Sequence, residues 1–318
     1  MINICYLPHT RPQYHKLTFH FLNKIKAENK EKIMLTILAS NDYEWDLTLL
    51  DGIKTNIVVF NHGNNYLSKI RYAINQNSEF SIKLDEDCFV NNHVFDYMIE
   101  NVEVLNDPSN LLVSPIMSNN IPSCDSFIEG FITDESVVKK IYGEFLKREM
   151  PVGLWGVDYS SLNTYTINAK DWNYEDFYVG VANLNTLVKG IHPLRISYEA
   201  QVLINEYVMN NTDRLVSKNV YDLFEIKAPY FTNSLFLIKT SEWNNIINNL
   251  MVDSFDEIAL NNYKTTNNKK FLFVRNGFGI HLMYNTVYGN KNRWGIGGEK
   301  GDLVEQEYYK KLINTLNL

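Results

Sequence analysis

Cysteine, glycine and proline are all scarce in this chain, at 3, 15 and 8 residues of 318. Cys5, Cys88 and Cys124 form no C-x-x-C pair, and their odd number argues against a disulfide framework and against a cysteine-built zinc site. A reducing compartment, the cytoplasm, is the expectation. So little glycine and proline excludes collagen-like and low-complexity classes. No apolar run approaches the ~18 residues that a membrane-spanning helix needs. The opening Met1-Ile2-Asn3-Ile4-Cys5 lacks the basic stretch of a secretion signal. Positive charge is short as well: 30 Lys and Arg against 37 Asp and Glu leave a net charge of −7. A field of that sign does not gather nucleic acid or anionic lipid, although a local basic groove is compatible with it.

Apolar and aromatic residues are plentiful. With 45% hydrophobic and 21% charged residues, the chain folds around a core rather than staying disordered. Its length predicts one large α/β domain or two smaller ones. The 20 Tyr and 17 Phe, with many Asn, suit a sugar-handling surface, since rings stack on sugar faces and amides bond hydroxyls. A compositional bias toward Asn, Lys, Ile and Tyr gives the same numbers without any such role.

Hydrophobic spacing sets out the order of elements. Ile2–Leu7 reads as a buried strand closed by Pro8, and Pro12 opens a helix with Leu17, Phe21, Leu22 and Ile25 on one face. Strands follow over Lys32–Ser40, Asn56–Phe60, Phe80–Leu84 and Leu111–Pro115. Between them lie helices around Leu67–Ile74 and His93–Val104, and Thr133-Asp134-Glu135 caps another. This alternation predicts βαβ units and a mostly parallel sheet. Pro151–Val220 is rich in Trp, Tyr and Asn and weakly periodic, with a helix over Glu199–Met209. Strands at Tyr230–Ile238 and Phe271–Val274, a helix capped by Ser241 and an amphipathic end from Val304 to Leu316 complete the chain. Neither a repeat nor a linker is evident, so the expectation is one large domain. Its residues 1–115 read as a nucleotide-type half and residues 116–318 as the remainder.

The sharpest feature is Lys83-Leu84-Asp85-Glu86-Asp87. Phe80, Ile82 and Leu84 precede the acids, which therefore emerge at a strand's carboxyl end, where open α/β sheets bind ligands. A spacing of two along extended backbone aims Asp85 and Asp87 to the same side. Two carboxylates so placed repel unless a cation lies between them. Oxygen ligands select Mg²⁺ or Mn²⁺, and an ion with few protein ligands completes its shell with substrate phosphate. The ordinary alternative is a solvated acidic turn.

The surroundings favour the metal reading. The chain resembles nucleotide-sugar-dependent glycosyltransferases of the GT-A fold, whose N-terminal Rossmann-like half ends its fourth strand in a D-x-D motif. Ser81-Ile82-Lys83-Leu84-Asp85-Glu86-Asp87-Cys88-Phe89-Val90 matches that element. Pro8-His9-Thr10-Arg11-Pro12 resembles the family's nucleotide-binding entry, and Gly63-Asn64-Asn65 its turn ahead of the D-x-D strand. Asn233–Lys239 resembles the strand before the acceptor helix, Ser254-Phe255-Asp256-Glu257 the acidic acceptor motif, and His281 a third metal ligand. The second strand departs from the pattern by ending Ala39-Ser40-Asn41-Asp42 without consecutive acids. The acceptor motif reads Asp256-Glu257 in place of Glu-Asp.

The resemblance implies a mixed, Rossmann-type α/β sheet flanked by helices. It also implies a metal-dependent transfer of sugar from a nucleoside diphosphate donor, a UDP-sugar, to an acceptor hydroxyl, with inversion. Asp87, Asp85 and His281 would hold Mn²⁺ or Mg²⁺, with Asp85 also placed to meet donor ribose. Thr10, Arg11, Ser40, Asn41 and Lys69 would line the donor pocket, and Asp256 or Glu257 would serve as the base.

Several residues keep rival readings. Asp256 and Glu257 also suit a helix N-terminus, where the dipole favours acids. Glu175-Asp176 and Glu129 are alternative bases. Lys69 and Arg71 could reach a diphosphate or lie solvated on a helix surface, and Arg195 could clamp a phosphate. A lone His281 could be a satisfied interior residue. Gly295-Ile296-Gly297-Gly298-Glu299-Lys300-Gly301 has no preceding strand, so it reads as a loop over the donor rather than a dinucleotide fingerprint. A phage-type enzyme glycosylating hydroxymethylated DNA bases would need a basic groove; Lys291, Arg293 and Lys300 offer a small one, against a net charge of −7. A sugar nucleotidyltransferase would need a glycine- and arginine-rich first loop, which Pro8–Pro12 lacks. The last alternative is a non-catalytic binding protein.

Overall fold

The computed structural model describes residues 1–8, 12–60, 66–74, 77–90, 93–120, 123–146, 194, 197–217, 221–226, 231–248, 256–282 and 299–318. Nine strands among them form one sheet. They are β1 (Ile2–Leu7), β2 (Ile33–Ala39), β3 (Lys54–Val59), β4 (Phe80–Asp85), β5 (Cys88–Val90), β6 (Asn110–Met117), β7 (Asp222–Glu225), β8 (Leu235–Lys239) and β9 (Lys270–His281). Helices α1 (His15–Asn23), α2 (Ala27–Lys30), α3 (Tyr66–Ile74), α4 (Val94–Glu100), α5 (Ser123–Phe131) and α6 (Glu135–Leu146) accompany the first half. Helices α7 (Tyr198–Asn210), α8 (Thr212–Val216), α9 (Thr240–Asn248), α10 (Asp256–Thr266) and α11 (Glu299–Thr315) accompany the second.

One side of the sheet is parallel, in the order β3-β2-β1-β4. β8 then pairs antiparallel with both β4 and β6. β6 pairs parallel with β9, which carries β5 and β7 antiparallel. The sheet is thus mixed rather than mostly parallel. Periodicity names strands but not neighbours, and β8 enters between β4 and β6 in the reverse direction.

Side-chain alternation gives the sheet two faces. Ile2, Ile4 and Tyr6 of β1 share a core with Phe19 and Leu22 of α1 and Phe95 and Met98 of α4. Cys5 and Leu7 point the other way, to Ile70 and Ala73 of α3 and Trp243 and Ile247 of α9. The same split divides Leu235 and Leu237 from Phe236 and Ile238. Asn3, on the second face, is buried but satisfied: it donates to the Ala73 carbonyl at 3.3 Å and accepts from Thr36 at 2.7 Å. A third core gathers Phe127 and Phe131 of α5, Ile204 and Val208 of α7, Phe278 and Ile280 of β9 and Leu312 of α11. Phe127 and Phe278 stack at 5.4 Å. Asp134 caps α6 by accepting from the Ser136 amide at 2.8 Å. The three cysteines are buried and form no disulfide among the described residues. No described helix is long and apolar enough to cross a membrane.

Two irregularities shape the end of β9. Pro115 has no N–H for a ladder, and opposite it the register jumps from Pro115↔Val274 to Ile116↔Phe278. Asn276 takes a positive φ of 60° within that bulge. Beyond it, Gly279 packs so closely that a Cβ there would collide with the Met117 sulfur. Gly279→Ala should therefore lower stability by about 1–3 kcal/mol. Adding Met117→Ala should recover part of that loss, so chemical denaturation of the double variant would depart from additivity.

Candidate metal and donor site

Along β4, Phe80, Ile82 and Leu84 face the α1 and α4 core, so Ser81, Lys83 and Asp85 face the other way. The strand ends at Asp85, and Glu86 and Asp87 form a turn. Alternation therefore does not extend to Asp87, and the two aspartates take different partners. Asp85 Oδ1 accepts from Lys83 Nζ at 2.7 Å, and its amide donates to the Ser234 carbonyl at 3.0 Å. Lys83 is almost wholly buried and also donates to the Asn233 carbonyl at 2.6 Å, as a buried ammonium must. Burial pushes the Asp85 carboxyl up to about 6 against the pull of Lys83. With 29% of the Asp85 side chain still reached by solvent, that push is weaker than full burial implies.

Asp87 is carried to His281 by the short β5. Its register sets Cys88 opposite His281 and Val90 opposite Gly279, and the Leu282 amide extends the ladder to the Asp87 carbonyl at 3.1 Å. His281 Nε2 then lies 3.3 Å from Asp87 Oδ2. The turn after β6 holds the histidine from the other side. The His281 amide donates to Ser118 Oγ at 3.2 Å, and its carbonyl accepts from Asn119 Nδ2 at 3.0 Å. Its Nδ1 is hydrogen-bonded to Asn120 Oδ1.

One potential ligand atom each from Asp87, Cys88 and His281 falls within a 4.8 Å cluster. Burial, and then the nearby carboxylates, hold the Cys88 thiol pKa well above its ordinary value, so it favours the neutral thiol until a cation is bound beside it. The other two groups are a buried carboxylate and an imidazole. That oxygen–nitrogen pair fits a divalent ion such as Mn²⁺ better than Mg²⁺, which prefers oxygens alone. Asp85 stands beside this pair, bonded to Lys83.

At the carboxyl ends of β1 and β2, Lys69 reaches from α3 to Ser40 Oγ at 2.6 Å and the Pro8 carbonyl at 3.2 Å. It is 4% exposed, so helix-surface solvation does not describe it; Arg71 on the same helix does face solvent. Asn41 is exposed. Thr10, Arg11, Glu175, Asp176, Arg195, Lys291 and Arg293 lie outside the described residues. Glu299, Lys300 and Gly301 open α11 instead of continuing the glycine-rich loop.

Asp256 and Glu257 begin α10, and of Asp256 only that backbone position is described. Glu257 is buried, and its Oε2 accepts from the Asn233 amide at 3.4 Å. Asn233 thus joins Glu257, through its N–H, to Lys83 and Asp85, through its carbonyl. Glu129 lies on the exposed surface of α5. Desolvation and then Asp125 raise its carboxyl pKa, a shift open to solvent screening.

Lys83, Asn120 and Asn233 are contributors that motif reading passes over. Lys83 had a signal, a charge at an inward position of an apolar strand. Ser118-Asn119-Asn120 had one too, a polar run at a strand's carboxyl end.

No family model and no curated protein matches this chain. Among solved structures, it is similar to the mannosyltransferase PcManGT from Pyrobaculum calidifontis in complex with GDP-Man and Mn²⁺. The identity is 9% and the TM-score 0.42, over 88% of this chain and 56% of that one. It is also similar to GalNAc-T7 with UDP, GalNAc and Mn²⁺, at 9% identity and a TM-score of 0.43, over 98% of this chain and 48% of that one. The chain spans about half the length of these two structures. Likeness of that degree assigns no chemistry here.

Burial lowers the Lys69 pKa to about 8, with Glu86 opposing. A lysine depressed in the fold binds its proton less well there than when unfolded, so stability rises with pH between the two values. Relative to Lys69→Met, the wild type should hold a constant stability below pH 8 and gain from pH 8 toward 10.5. Paired urea denaturations across that range read the difference.

Proposed function

We propose that this chain is a metal-dependent glycosyltransferase that moves a sugar from a nucleoside diphosphate donor to an acceptor hydroxyl. One observation carries the reading: the buried Asp87 carboxylate and the His281 imidazole face each other at 3.3 Å, at the carboxyl end of a parallel β4. Such a pair is balanced by a positive charge between its members. Asp87 and His281 would hold Mn²⁺ or Mg²⁺, with Asp85 in reach of the ion's water or of donor ribose. A divalent cation bound there supplies the charge that neutralises a departing diphosphate.

The remaining work falls to the chain. The edge formed by Pro8, Ser40 and Lys69 lies where open sheets take nucleotides, and Thr10, Arg11 and Asn41 would complete the donor pocket. Lys69 adds a buried positive charge against the phosphates. Lys83 keeps Asp85 ionised and pointed. In an inverting transfer one carboxylate takes the acceptor proton, and Glu257, joined to Lys83 through Asn233, is favoured over its neighbour Asp256. In this reading residues 1–115 bind the donor, residues 116–318 bind a carbohydrate or other hydroxyl-bearing acceptor, uridine is the donor base and the cytoplasm is the compartment.

A screen of nucleotide-sugars with Mn²⁺, scored by release of nucleoside diphosphate, tests the reaction. Asp87→Asn should lower turnover by orders of magnitude while the far-UV spectrum stays unchanged, and chelation should abolish it. Turnover that ignores both would remove the metal. For the base, Glu257→Gln should lower kcat by about 10²–10⁴ with donor Kd nearly unchanged. If Glu257→Gln and Asp256→Asn both keep full turnover, the base lies elsewhere, with Asp176 and Glu129 next.

A further inference from the structure

Resting on the metal-site reading above, we propose that Asn120 is a positioning residue: it fixes a proton on Nδ1 of His281, so that Nε2 is the nitrogen offered toward Asp87. A neutral imidazole has one ring nitrogen that donates and one that accepts. Which is which depends on the partner of the other nitrogen. The partner of Nδ1 is the Asn120 carboxamide, and the two ends of that amide are distinguished by its other contacts. One end reaches the Thr232 carbonyl at 3.3 Å, whereas Ser234 Oγ lies within reach of both ends, at 3.1 and 3.4 Å, and does not tell them apart. A carbonyl only accepts, so the end at Thr232 is the NH₂. The end toward His281 is then the oxygen, which also only accepts. Nδ1 must therefore carry hydrogen.

Burial makes the choice costly to reverse. Asn120 is 0% and His281 2% exposed, so solvent does not relieve a mismatch. The opposite tautomer would set an Nδ1 lone pair against Asn120 Oδ1, an unfavourable contact between buried acceptors. With Nδ1–H in place, Nε2 is the nitrogen that faces Asp87 Oδ2, two acceptors that need a cation between them. The backbone clamps already described, Ser118 and Asn119, hold the same histidine by its N–H and C=O. The Thr232–Ser234 segment that orients Asn120 also binds the Asp85 amide and Lys83. Asn120 thus belongs to the frame that sets both sides of the site.

A side chain that merely fills space at this position would affect stability without moving a ring proton. The test is long-range ¹H–¹⁵N spectroscopy of the histidine rings in the metal-free full chain, with His281→Gln used to assign the signals. Nδ1 of His281 should bear hydrogen in the wild type. In Asn120→Ala the neutral ring should shift toward Nε2–H, and the Kd for Mn²⁺ should weaken about 10–100-fold. Asn120→Asp keeps an acceptor toward His281 and should hold the hydrogen on Nδ1, at some loss of stability because its second oxygen then meets the Thr232 carbonyl. A wild-type Nδ1 without hydrogen overturns the assignment, as does an aspartate variant that behaves like alanine. Should the alanine variant not fold, the wild-type spectrum and the aspartate variant still decide. Should the wild type bind no Mn²⁺, the metal reading falls, while the ring spectrum alone judges Asn120.

Discussion

Three residues of antiparallel pairing, Cys88–Val90 against Gly279–His281, hold the site in one piece. Without that ladder, Asp87 would end a turn and His281 would end a strand far along the chain, related only indirectly, through β8 and β6. The neighbouring irregularities serve the same register. The Pro115 bulge re-aims β9, the bare Gly279 lets Met117 close in, and the turn after β6 then meets His281 from the opposite side. A shift of one residue in β5 would turn Cys88 and Val90 to the other face of the sheet and draw Asp87 out of line with His281. The constraint is thus one of alignment more than of energy, since three pairs contribute little stability by themselves.

Charge at this end of the sheet is arranged in linked pairs, although the chain as a whole is acidic. Lys83 answers Asp85, Lys69 lies within the field of Glu86, and Glu257 rests on a backbone amide. Buried ionised groups persist only with such partners. Asn233 is the hinge of the arrangement, because its amide and carbonyl serve opposite charges at once. Removing one charge from this set would leave another uncompensated, so single substitutions here act on their neighbours as well.

Much of the parallel half was legible in the sequence because its signals are local. β1, β2 and β4 are apolar runs bounded by turn residues, and α1 and α3 carry a clean apolar stripe. The place of the acids at the end of β4 was legible for the same reason: a strand's end is visible in composition. The direction of Asp87 was not, since it depends on where extended backbone gives way at Glu86. β5 and β7 are three and four residues long, too short for alternation to register. α5 was hidden by its own pattern, because Phe127, Ile128 and Phe131 read as well as an apolar run. Lys69 read two ways, since a lysine on a helix is ordinarily solvated and only the fold brings the Pro8 carbonyl above it. Asn120 carried no more of a signal than the polar run Ser118-Asn119-Asn120. Its importance comes from a partner that the ladder delivers from the far end of the chain.

The place of β8 between β4 and β6 has a consequence for synthesis on the ribosome. When β6 emerges, neither of its partners, β8 and β9, has yet been made, and β4 waits with one open edge. Chain growth from Met117 to Leu235 takes ~6–24 s at bacterial to eukaryotic rates of about 5–20 residues per second. Through that interval two apolar strands that end up at the centre of the finished sheet expose unpaired backbone, the condition under which nascent chains associate with one another. The parallel group β3-β2-β1-β4 can assemble early, but the sheet closes only from its middle. A nascent chain of this architecture is a natural client for holding factors, and slowing translation before Leu235 would lengthen its vulnerable period.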